Sequence, residues 1–187
     1  MTNIELDSEV INDHGEERGR ISCARARDML CGRPWVIGGV EETIKDSFDD
    51  QQGIDFYVPV DTRLTDIMCM ERDERGVKVQ VKSCLRKERK FLTMHKNGIF
   101  NLATGENIFV LNGQDDYAVM MASIVGQMVV MADLTGTVSE EVLLGFMAED
   151  LGDREAVEAY LNYKKYLTEE EWFAKRLRSV VVRYKNR

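Results

Sequence analysis

Apolar positions recur with two different periods along this chain. Between Gly53 and Cys84, two short runs, GIDFYVPVD and VKVQVKSC, mix apolar and polar residues in the two-residue period of half-buried strands. They predict strands over 54–60 and 77–84. Asp55 enters at the start of the first. In the second, Gln80 and Lys82 stand two apart among Val77, Val79 and Val81, so the polar pair shares one sheet face and the valines the other. A lysine among valines is costly to bury alone, and an acidic residue on the neighbouring strand would partner it.

The flanking segments extend this frame. Helical spacing runs from Ser8 to Met29, with Gly15 and Gly19 leaving open one helix or two with a break near His14-Gly15. Gly32-Arg33-Pro34 ends it. Trp35 to Val40 reads as a strand that could extend to Ile44, and 45–52 as a polar loop. Thr62 to Cys69 continues extended, and the charged stretch 71–76 is a turn. NIFVL, residues 107–111, is a fourth strand closed by Asn112-Gly113. Beyond it the period becomes helical: 117–134, then 142–151 behind the capping-box pair Thr137 and Glu140, then 154–167. Thr168 and Glu171 repeat that spacing before a helical or extended tail, where Val180 to Val182 could form an edge strand. The order implies an α/β or α+β fold: a core over 1–112 and a helical extension over 113–187 packing on it, one domain overall.

Composition narrows the function classes. At 187 residues, 44% hydrophobic and 31% charged, the chain has the profile of a soluble globular domain. The run Ala118–Ala132 is too short for a membrane span and reads as a buried helix. The acidic, polar start is not a signal peptide, so reduced thiols and a cytoplasmic, intracellular setting are expected. Cysteines 23, 31, 69 and 84 form no C-x-x-C pair, which argues against a zinc ribbon. Two histidines without H-E-x-x-H argue against a zinc hydrolase, and Gly38-Gly39 lacks the lysine of a phosphate-binding loop. The methionines 120, 121, 128 and 131 read as core packing.

Charge is unevenly spread. The net value of −8 disfavours indiscriminate nucleic-acid binding. Between Lys82 and Lys96, however, six basic residues (82, 86, 87, 89, 90, 96) face Glu88 alone, and 175–187 carries six more. The first run begins at the lysine of the strand pair. Either it is a solvated face, or Arg86, Lys87, Arg89, Lys90 and Lys96 meet a phosphate backbone.

With DDQQGIDFYV followed by VKVQVKSC, the chain resembles the PD-(D/E)xK nuclease superfamily over roughly residues 8–112. Its nearest likeness is to the Holliday junction resolvase and Mrr-like branches. The resemblance implies a restriction-endonuclease-like core: a central mixed four-stranded sheet flanked by helices. It implies a magnesium or manganese ion held by Asp55, Gln80 and the Val81 carbonyl, with Lys82 as the catalytic lysine. An acid of the first helix, Glu17 or its neighbour Glu16, would complete the site. DNA is then the substrate, and a homodimer the assembly. Gln80 departs from the usual acid and removes one negative charge. The chemistry is coherent in itself, since phosphodiester hydrolysis needs a hard cation on oxygen ligands and positive charge near the developing phosphorane. The expected activity is Mg2+-dependent DNA hydrolysis. The alternative is an inactive nuclease-fold protein that binds nucleic acid or another protein.

Overall fold

The computed structural model describes residues 3–68, 70, 74–84, 87 and 107–166, with the backbone alone for 3–14, 134 and 166. It is a mixed α+β fold in which helices flank a four-stranded mixed sheet. Helix α1 (Asn3–Cys31) leads into β1 (Glu41–Glu42), the single turn α2 (Phe48–Gln51) and β2 (Phe56–Val58). Helix α3 (Thr62–Ile67), β3 (Val77–Lys82) and β4 (Ile108–Asn112) complete the front half. Behind come α4 (Tyr117–Thr135), α5 (Glu140–Gly145) with a π-turn over Phe146–Asp150, and α6 (Arg154–Tyr166). Strand order is β1-β2-β3-β4, with β1–β2 and β2–β3 antiparallel and β3–β4 parallel.

Several elements depart from the sequence expectation, each for a local reason. Helix α1, which its glycines leave open as one helix or two, runs unbroken through Gly15 and Gly19. A helical glycine costs about 1 kcal/mol relative to alanine but forbids nothing, and the buried side chains of Ala26, Met29 and Leu30 anchor the second half. The expected strand at 35–40 shrinks to one bridge, Val36 with Val60, and pairing resumes only at Glu41–Glu42. Ile37 donates to the Pro59 carbonyl, but proline has no N–H to return, so the ladder stops there. The segment expected to continue extended from Thr62 is instead α3. Asp61 caps it by accepting from the Arg63 N–H, and Leu64 and Met68, four apart, are both buried. The polar loop contains α2, capped by Ser47. Helix α5 is capped by Ser139, two residues after the expected Thr137.

The sheet divides its side chains as the alternation requires. Val77, Val79 and Val81 join Phe56, Val58, Phe109 and Leu111 in the main core, which continues through α1 and all the rear helices. Tyr57, Ile108 and Val110 turn to the other face and form a smaller cluster with Ile54. Met120, Met121, Met128 and Met131 are buried in the main core. No helix among the described residues is long and apolar enough to cross a membrane.

Two polar devices hold the rear helices to the front. Asp153, only 2% exposed, accepts from Trp35 Nε1 (2.8 Å), from Arg33 (3.1 Å) and from the Ala156 N–H at the start of α6. Gln127 of α4 donates to the Val110 carbonyl and accepts from the Val110 N–H, both at 2.9 Å. Its amide thus does for β4 what a further strand would do, satisfying one donor and one acceptor of the ladder.

Candidate functional site

The site forms where β2 and β3 part company. Phe56 pairs with Val79, so one further step in the antiparallel register sets Asp55 opposite Gln80. The Asp55 N–H still bonds to the Val79 carbonyl (2.9 Å), but at Ile54 the chain turns away and its N–H goes to Asp49 instead. The Val81 N–H therefore loses a backbone partner, and Asp55 Oδ2 accepts from it at 2.6 Å. A strand that diverges one residue early thus places a carboxylate against the backbone of its neighbour. On the opposite side the Thr43 N–H, just past β1, donates to the Asp55 carbonyl and fixes the residue from that side as well.

Gln80 completes the knot. Its side-chain Nε2 donates to Asp55 Oδ2 and, at 3.2 Å, to the Val81 carbonyl. The residue is buried, yet its Oε1 has no hydrogen-bond partner. Asp55, Gln80 and Val81 are therefore brought together as the sequence implies. Lys82, at the end of β3, adds a positive charge that acts directly on Asp55. Burial holds the Asp55 carboxyl above its ordinary value, with Asp50 pushing the same way, against the Val81 N–H, Lys82 and Gln80. Burial likewise lowers the Lys82 ammonium, opposed by Asp55. Both shifts favour the neutral forms, so this acid and base are only partly compensated by each other.

On helix α1 the two expected acids are exposed. Glu17 is exposed and pairs with Arg20 at 2.8 Å, which lowers its carboxyl pKa. Glu16 is exposed too. The α1 side chain coupled to the site is Cys23. Its thiol is pushed up to about 11, first by burial and then by the charges of Asp55 and Glu42, with Lys82 and Arg27 opposing. Cys23 lies six residues beyond Glu17, which is about 9 Å along the helix and two-thirds of a turn around it. The helix is held at this height by close contact with the end of β4. A Cβ at Gly113 would come within 2.4 Å of the Ser22 carbonyl oxygen, and Arg25 donates to the carbonyls of Gly113 and Asp115. A search of the sequence for an acid on the first helix passes over a cysteine; the signal for it was its place three residues before the buried Ala26.

Of the basic run, Lys87 is described and exposed. Arg86, Arg89, Lys90 and Lys96 lie outside the described residues, as do His95, Cys69 and the expected tail elements after Tyr166. Among the described residues no three His, Cys, Asp or Glu side chains gather as a metal cluster. As it stands the site sets the Asp55 carboxylate and the Val81 carbonyl around the Gln80 Nε2 donor; with that amide turned over, Oε1 would complete an all-oxygen set carrying one negative charge. That set fits magnesium or manganese by donor type, and the raised Asp55 pKa marks a carboxylate that a cation would relieve. Comparisons with protein-family models, with curated proteins and with solved structures found no match to this chain.

Proposed function

We propose that the protein is a metal-dependent nuclease that hydrolyses DNA phosphodiester bonds at Asp55, Gln80 and Lys82. The observation that carries this reading is the convergence of Asp55 Oδ2, the Gln80 amide and the Val81 backbone into one hydrogen-bonded knot beside Lys82. A magnesium or manganese ion bound there would supply Lewis acidity toward the phosphate and activate water at neutral pH. Asp55 and the Val81 carbonyl would hold it, with Gln80 Oε1 as the third oxygen. Lys82 would place its ammonium against the charge that develops on the phosphorane. Its depressed pKa makes it readier than a solvent lysine to give up or share a proton. The basic run from Lys82, of which Lys87 is exposed, is the surface this reading assigns to the DNA backbone. A homodimer belongs to the same proposal and is read directly by sedimentation velocity.

One observation favours a second reading. The donor set has a single carboxylate, because Gln80 replaces an acid and Glu17 pairs with Arg20 in solvent. An inactive nuclease-fold module that binds nucleic acid or protein would look the same.

The two readings separate on linear, nicked and four-way-junction DNA incubated with the purified protein in magnesium or manganese. The nuclease reading expects cleavage by the wild type. Asp55→Asn and Lys82→Ala should each lower it about 10²–10³-fold, the usual cost of losing one preorganised charge stabiliser. DNA bound but uncut by all three proteins would leave the binding module standing.

A further inference from the structure

The orientation of the Gln80 amide is fixed by its surroundings. Nε2 reaches two oxygens, Asp55 Oδ2 and the Val81 carbonyl. Turned over, the amide would set Oε1 against the same carboxylate and carbonyl, with no proton between them. The price of the observed orientation is at the other end, where Oε1 is buried without a donor in a residue only 3% exposed. A glutamine held this way satisfies two acceptors at the expense of its own.

We propose that Gln80 is a latch on the cation site. Without a cation, the positive end of its amide lies between the Asp55 carboxylate and the Val81 carbonyl and holds these two oxygens together. Rotation about the terminal side-chain bond replaces that donor with Oε1. The three oxygens then face one another, an arrangement that with Asp55 ionised needs a cation among them. The inference rests on the reading that Asp55 and Val81 hold a divalent ion, and it adds how that site is regulated. Cation entry requires a buried side chain to release two hydrogen bonds and turn. A glutamate cannot serve as this latch, because a carboxylate has no donor and would repel Asp55 until a cation arrived.

The test is nuclear magnetic resonance of the full-length protein labelled with 15N in glutamine side chains. The chain has five glutamines, at 51, 52, 80, 114 and 127. The Gln80 side-chain resonance is identified by its Overhauser contacts to Val81. In chelator, its amide protons should lie downfield, as expected for donors to a carboxylate. Magnesium chloride is then titrated while calorimetry follows binding on the same sample. The latch predicts that the Gln80 protons move upfield in step with the calorimetric saturation. It also predicts that Gln80→Glu binds magnesium more tightly while melting at a lower temperature in chelator. Magnesium binding that leaves the Gln80 resonance in place would overturn the latch and keep the cation site. No binding of magnesium or manganese to the wild type would overturn both.

Discussion

Asp55 is a buried carboxylate whose ionisation works against the fold. Its burial raises the folded-state pKa above the unfolded value. A cation-free protein is therefore favoured below about pH 4, the unfolded value, and loses stability as pH rises through the folded pKa. Asp55→Asn removes that ionisation and keeps an oxygen for the Val81 N–H. In chelator at pH 7 the variant should melt above the wild type, and the difference should vanish in acid; thermal melts across pH check this. Asp49 has the opposite sign. The hydrogen bond from Arg75 lowers its pKa, so its contribution is present at neutral pH and lost on acidification. Asp153 has a purely structural role. Asp153→Ala would leave the buried Trp35 Nε1 without its acceptor and Arg33 with Glu155 as its remaining carboxylate partner, at a cost of about 1–3 kcal/mol by urea unfolding.

At the scale of elements, what counts for the site is where strands stop and how close helices come. Gly76, at φ +110°, lets the chain return beneath Val58, where a Cβ would meet the carbonyl oxygen at 2.1 Å. That approach sets the β2–β3 register, and the register sets Asp55 opposite Gln80. Gly113 performs the same service for α1. Its missing Cβ lets the Ser22 backbone lie against the end of β4, and Gln114 donates to Ser22 Oγ at 2.8 Å across the contact. Gly113→Ala sets side chain against backbone, where neither yields easily, so it should cost about 1–3 kcal/mol in thermal unfolding. It should also displace Cys23 from the site, lowering the reactivity contrast between Cys23 and the exposed Cys31 toward a thiol reagent.

The whole molecule is organised around a core that belongs to no single half. Leu30, Trp35, Phe109 and Leu111 from the front pack in one cluster with Met120, Ile124, Leu143 and Tyr160 from the rear. A fragment ending at Asn112 would expose those front side chains and leave Trp35 Nε1 without Asp153. It is expected to be unfolded by circular dichroism, while the full chain unfolds in one transition. Alternation made β2 and β3 legible in the sequence, the apolar run NIFVL closed by Asn112-Gly113 made β4 legible, and helical period made the rear helices legible, because those signals are local. The same alternation placed Gln80 and Lys82 together on the face away from the valines. The failures were also local in origin. Pro59 cut short a strand that hydropathy alone supported, and Asp61 with Leu64 and Met68 turned an apparently extended segment into α3. Which α1 residue comes within electrostatic reach of Asp55 could not be read in that way. It depends on how far the helix slides along the sheet, and the Ser22–Gly113 contact, some ninety residues apart in the chain, decides that. The sequence by itself determined β2, β3 and β4 and the polar residues they present. Only the tertiary structure decided that β2 diverges at Asp55, that Gln80 directs its donor there, and that Cys23 of α1 lies within electrostatic reach of Asp55, because each depends on the relative placement of elements that no local pattern encodes.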